Sequence, residues 1–115
     1  MKAIRILLAD DEPSVRRLYR QMLKGNSFEV EEASDGQEAL DRVSTGAYDL
    51  MALDLNMLRL DGFEVMIRMK EAGKSTPVIV MTGIDFPEEV VADRLEGLSV
   101  VEVIRKPVMI TALLN

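Results

Sequence analysis

The sequence predicts an α/β fold, a doubly wound five-stranded parallel sheet with helices on both faces, and three observations predict it. Five short apolar runs alternate with four helical patterns and the start of a fifth. Two of those runs are apolar throughout, as strands covered on both faces must be. The connections are short, and strand–helix–strand units joined this tightly are right-handed with parallel strands.

The first run covers residues 4–9, with Arg5 its only charge. The second, residues 28–33 (FEVEEA), nearly alternates, as a strand with one wetter face does. The third and fourth, residues 50–53 and 78–81, are the continuously apolar pair. The fifth, residues 100–104, is interrupted by Glu102. Pro13 suits the first turn of a helix with Val15, Leu18 and Met22 inward, and Gly25 ends it. Asp35-Gly36 opens a second helix with Ala39, Leu40 and Val43 inward, closed near Gly46. Gly62 opens a third with Phe63, Met66 and Ile67 inward, closed by Gly73. Pro87 opens a fourth with Val91 and Leu95 inward, closed by Gly97. A fifth begins after Pro107 and carries Val108, Met109, Ile110, Leu113 and Leu114 before Asn115. So short a helix is marginal without tertiary packing. The expectation is therefore one domain, residues 1–115, with an incomplete fifth helix, cut from a longer protein with an output domain or at least a complete helix, the output domain, if any, being absent. The apolar strip left uncovered would favour a homodimer or helix exchange.

Composition narrows the function. The 115 residues make one domain, and 48% hydrophobic with 30% charged residues suits a buried core rather than disorder. A net charge of -6 argues against nucleic-acid binding by this segment. There is no Cys and no His, so chemistry must run on carboxylates, hydroxyls, Lys and backbone. The apolar run near the start is too short for a signal peptide or a membrane span, which makes a cytoplasmic location the expectation.

Five strands in a small domain suggest the flavodoxin-like order 2-1-3-4-5. That order opens a ligand crevice at the carboxyl ends of the first and third strands. The first strand runs out into Asp10-Asp11, the third into Asp54, the fourth into Thr82, and Lys106 follows the fifth. Each has a plainer reading: Asp11 or Glu12 as a helix cap, Asp54 as the start of a polar loop, Thr82-Gly83 as a strand exit, Lys106-Pro107 as a solvated turn. Together they bring polar or charged groups from four of five strands to one edge, which capping alone does not explain. Two unit charges about 4 Å apart at an effective dielectric near 20 repel by roughly 4 kcal/mol. Such a cluster protonates or recruits a cation. All-oxygen ligation, with Asn56 offering a main-chain carbonyl, suits Mg2+ or Mn2+. A metal beside a carboxylate, a Lys and a hydroxyl stabilises a phosphoryl group in flight, and a carboxylate can be the nucleophile.

Four segments, ILLADDEPSVRRL, LDLNMLRLDGFE, VIVMTG and VIRKP, carry a resemblance that covers the whole chain. In this order and spacing they resemble the receiver domains of two-component response regulators, of the chemotaxis-regulator type. The resemblance implies a phosphoacceptor switch: Mg2+-dependent transfer of a phosphoryl group from a histidine kinase or phosphotransfer protein to Asp54. It implies that Asp10, Asp11, Asp54 and the carbonyl of Asn56 hold the metal. Thr82 and Lys106 would contact the phosphoryl group, the Lys106-Pro107 peptide would be cis, and Lys106 would reach Asp54 before phosphorylation. The face of the fourth helix, fifth strand and fifth helix would carry the signal to an output domain or partner. It implies no enzyme beyond catalysis of its own phosphorylation and dephosphorylation. Two positions depart from the pattern. Leu58 stands where Pro is common. Val103 stands where an aromatic or His is usual, so the inward swing of a ring cannot relay the signal.

Two other classes compete. A haloacid-dehalogenase-like Mg2+ phosphatase needs DxDx[TV] after the first strand, and Asp10-Asp11-Glu12-Pro13-Ser14 fails that spacing. A flavodoxin-type carrier needs a Ser/Thr/Gly-rich phosphate loop there, where this chain is acidic. Within the leading class, a phosphorylation-independent receiver is disfavoured by the intact Asp54, Thr82 and Lys106.

Overall fold

In the computed structural model, which describes residues 3–24, 27–57, 59–82 and 88–105, strands and helices alternate along the chain. The strands are β1 (Ile4–Ala9), β2 (Phe28–Ala33), β3 (Leu50–Asp54), β4 (Val78–Thr82) and β5 (Val100–Arg105). Between them lie α1 (Pro13–Leu23), α2 (Gly36–Thr45), α3 (Gly62–Glu71) and α4 (Glu88–Leu95). All strand pairs are parallel and the order is β2-β1-β3-β4-β5, as the sequence predicts. The fifth helix, its truncation and Lys106-Pro107 lie outside the described residues.

The sheet separates two cores. On one face Leu7 and Ala9 of β1, Met51 and Leu53 of β3, and Val78 and Val80 of β4 pack against Val43, Phe63, Met66, Val91 and Leu95 of α2, α3 and α4. On the other, Ile6, Leu8, Ala52 and Met81 meet Tyr19 and Leu23 of α1. The central strands are therefore buried on both sides, which is why their sequences are continuously apolar. Arg94 of α4 lies over the Phe63 ring, 3.7 Å from its centroid, and joins α4 to α3.

Two predicted inward residues face out. Leu18 and Ile67 are exposed, and the positions they were expected to fill belong to Tyr19, Leu23, Val65 and Met69. In α1 the ring of Tyr19 and the side chain of Leu23, one turn apart, supply more contact area than Leu18, and the helix rotates to bury them.

Candidate functional site

The strand register assembles the site. Ala9, the last residue of β1, pairs with Leu53, so Asp10 and Asp54 leave the sheet side by side. Asp54 pairs with Met81, and Thr82, the last residue of β4, pairs with Arg105. Each of β3 and β4 runs one residue further than the apolar pattern indicates, which seats Asp54 and Thr82 on rigid strand ends rather than in loops. Leu55 N–H still donates to Met81 O at 3.0 Å, so the backbone beyond Asp54 stays tied to β4.

Among the described residues, Asp10, Asp54 and Thr82 are the buried polar or charged side chains. Everything else in the two cores is apolar. Burial of two neighbouring carboxylates is unfavourable unless something compensates. Among the described residues no buried side-chain nitrogen or oxygen lacks a hydrogen-bond partner. The same local device fixes both aspartates: Asp10 Oδ1 accepts from Glu12 N–H at 2.9 Å, and Asp54 Oδ1 accepts from Asn56 N–H at 3.1 Å. Carboxylate oxygens of Asp10, Asp11 and Glu12 lie within 4.8 Å of one another, buried, half-buried and exposed in that order. Asp54 adds a further carboxylate at the adjoining strand end. This hard, all-oxygen donor set fits a divalent cation such as Mg2+ or Mn2+. Glu12 occupies the cap position of α1 without a side-chain cap bond, so the capping alternative for Glu12 fails. Lys106 lies outside the described residues, and Asn56 is exposed beside the site.

Gly62 explains the shape behind Asp54. A Cβ there would lie 2.6 Å from Asp54 O and 2.8 Å from Leu55 Cα, so only glycine lets α3 start this close to the strand end. Its N–H donates to Leu55 O at 3.0 Å, folding the segment back on itself. Asp61 caps α3 by accepting from Glu64 N–H at 2.9 Å.

Sequence reasoning missed two arginines. Arg16 of α1 donates from Nη1 to Asp10 O at 2.6 Å and from Nε to Glu32 of β2 at 3.0 Å. Arg59, in the segment after Asp54, has a left-handed φ of 68° and donates to Asp35 Oδ2 at 3.3 Å. Asp35 also caps α2 by accepting from Glu38 N–H at 2.8 Å. Beside it, a Cβ on Gly36 would lie 1.6 Å from Leu60 O. The β3–α3 connection therefore rests directly on the start of α2.

The chain belongs to the response regulator receiver domain family, whose model matches residues 6–115. It is 40% identical over 95 residues to the response regulator MprA of Mycolicibacterium vanbaalenii, across 83% of this chain and 39% of MprA. With MprA of Mycobacterium tuberculosis the identity is 40% over 96 residues, 84% of this chain and 40% of the relative. The chain thus spans about two fifths of the length of these curated relatives. Among solved structures it is similar to the Francisella response regulator 1452 receiver domain, with TM-score 0.86 and 27% identity over 96% of this chain and 89% of that one. It is also similar to the response regulator TrrA of Thermotoga maritima in complex with Mg2+-BeF, with TM-score 0.81 and 29% identity over 96% and 92%. The comparisons lend the haloacid-dehalogenase alternative no support. This chain is a receiver, a signalling domain.

Proposed function

We propose that this receiver is a metal-dependent phosphoacceptor switch with Asp54 as the acceptor. The observation that carries the reading is the burial of Asp10, Asp54 and Thr82, together, at the carboxyl edge of the sheet, as the buried polar or charged side chains among the described residues. A carboxylate buried for packing alone has no reason to sit beside another one. Asp10, Asp11, Asp54 and the main-chain carbonyl of Asn56 would hold Mg2+, which supplies positive charge for the acidic cluster and for the incoming phosphoryl oxygens.

In the transfer, one carboxylate oxygen of Asp54 bonds to phosphorus. The phosphorus–nitrogen bond to the donor imidazole breaks, and the imidazole nitrogen keeps the electron pair. Asn56 N–H, already aimed at Asp54 Oδ1, holds the carboxylate rotamer so that one oxygen leads the attack. Thr82 offers a hydroxyl and Lys106 an ammonium to the transferred group. Attack by water at phosphorus breaks the phosphorus–oxygen bond to Asp54, releases inorganic phosphate and regenerates the carboxylate. The donor is a sensor histidine kinase or phosphotransfer protein, the setting is the cytoplasm, and the response is read at the surface around α4 and β5 by an output domain or partner. That the MprA relatives are more than twice as long supports an output domain in the parent protein.

Intact-mass measurement after incubation with acetyl phosphate tests the reading. The wild type should gain one phosphoryl group only with Mg2+ or Mn2+ present, and Asp54→Asn should gain none, since a carboxamide is a poor nucleophile. Phosphorylation of Asp54→Asn at the wild-type rate would sink the assignment.

A further inference from the structure

We infer that Arg16 is a positioning residue for the cation site, holding the turn that presents Asp10 and Asp11. The inference rests on the metal-dependent reading above. The turn between β1 and α1 must hold its carboxylates in one geometry, yet its helix supplies no cap: Glu12 makes no side-chain bond to the first turn. What fixes it is Arg16, one turn into α1. Its own N–H donates to Glu12 O at 3.1 Å, and its guanidinium turns back to Asp10 O at 2.6 Å. The same guanidinium reaches across to Glu32 on β2 at 3.0 Å. Its side chain is only 14% exposed, so the contact is shielded from water and holds a defined rotamer. One side chain thus ties β2, the acidic turn and α1 together.

Arg16 also brings a positive charge toward a site meant for a cation, and that charge alone would weaken metal binding. Glu32 answers this. It accepts from Arg16 and, at 2.8 Å, from Arg20, which in turn donates to Val30 O at 2.8 Å. With its charge paired to Glu32, Arg16 acts through the geometry of Asp10 rather than through its field. The two effects have opposite signs, which makes them separable. Loss of a repelling charge tightens metal binding; loss of a positioning contact weakens it, typically 10–100-fold for groups that orient ligands.

The experiment is an NMR titration of the full chain with Mg2+, following the Asp10, Asp11 and Glu12 amides, with urea denaturation to check folding. Arg16→Ala should weaken Mg2+ binding roughly 10-fold or more. Arg16→Lys should recover part of the loss, because one ammonium can serve Asp10 O but not Glu32 as well. Arg20→Ala removes the same charge from the same partner without touching Asp10, and should change affinity by less than about twofold. If Arg16→Ala does not fold, Arg16→Gln, which is neutral and keeps a donor, takes its place with the same expected direction. Mg2+ binding by the Arg16 variants as tight as wild type, or tighter, overturns the inference, as does an equal loss in Arg20→Ala. A wild type that binds no Mg2+ overturns the metal reading itself, and this inference with it.

Discussion

Both β2 and β5 are edge strands, yet β2 carries three glutamates met by arginines, whereas β5 exposes two valines with one glutamate, Glu102, between them. Along β2, Glu29, Glu31 and Glu32 meet arginines from three elements. Arg5 of β1 pairs with Glu29 at 3.7 Å and with Glu31, Arg42 of α2 with Glu31 at 3.2 Å, and Arg16 and Arg20 of α1 with Glu32. Tyr48 adds a hydroxyl to Glu31 at 3.2 Å, and Arg5 sits 4.9 Å from its ring centroid. Arg20 even covers the backbone carbonyl of Val30. On β5, by contrast, Val101 is 60% exposed and Val103 41%. Its register shifts between Val78 and Ile79, and the irregularity leaves Val101 outside the ladder. Ion pairs guard one edge against pairing with another chain; a bulge interrupts the other. Arginines thus fasten β2 to its neighbours on both faces, whereas β5 exposes the apolar side chains of Val101 and Val103. Val103 stands at the position where the receiver resemblance implies an aromatic or His.

The largest expected effect contrasts apolar truncations at the two edges. Leu23, buried beside Phe28 and Val30 of β2, should cost about 2–5 kcal/mol when changed to alanine, read from the urea midpoint. Val103→Ala, at an exposed site, should stay within about 0.5 kcal/mol. Equal losses would erase the distinction and mean that Val103 is covered in solution.

Acid should distinguish the edges next. The hydrogen bond from Arg5 chiefly holds the Glu31 carboxyl below its ordinary 4.5. Burial pushes the Glu32 carboxyl up, but hydrogen bonds from Arg20 and Arg16 outweigh it and the net shift is also downward. Carboxyls depressed on folding bind fewer protons in the native state. Their contribution is present above pH 4.5 and is lost as pH falls below it through the folded values. Stability measured from pH 6 to 3 should therefore fall less steeply in Glu31→Gln/Glu32→Gln than in wild type. Identical slopes would show that the β2 pairs contribute nothing.

Salt should give the smallest effect. Raising ionic strength from about 0.1 to 1 M shortens the Debye length from roughly 10 to 3 Å. Exposed pairs contribute about 0–1 kcal/mol each. Glu31→Gln/Glu32→Gln removes four pairs, and at a few tenths of a kcal/mol screened per pair wild type should lose about 1 kcal/mol more than that variant, measured as the difference between their salt dependences. Val103→Thr should leave the wild-type salt dependence unchanged, because β5 contributes no charge at that position.

Much of this was readable in the sequence because it rests on period and punctuation. Continuous apolar runs marked the strands buried on both faces, Pro13 marked the start of α1, and Gly46, Gly73 and Gly97 follow the ends of α2, α3 and α4. The edge carrying Asp10, Asp54 and Thr82 followed from topology, since every parallel strand delivers its carboxyl end to the same side. Leu18 and Ile67 misled because a helical stripe more than 100° wide admits several choices, and volume among neighbours decides between them. Arg16 and Arg59 were illegible for a different reason. An arginine reaching a main-chain carbonyl or a carboxylate on another loop leaves no pattern in its own neighbourhood. That Arg59 takes a left-handed φ at 68° could not be foreseen from a residue type that seldom does so.

The missing space at Gly36 has a consequence for recombination between receivers. With 1.6 Å between its would-be Cβ and Leu60 O, and Asp35 bound to Arg59, the turn before α2 and the connection after Asp54 form a matched pair of parts. A chimera that imports residues 55–61 from a relative inherits a mould cast for a different plug unless residues 34–36 travel with it.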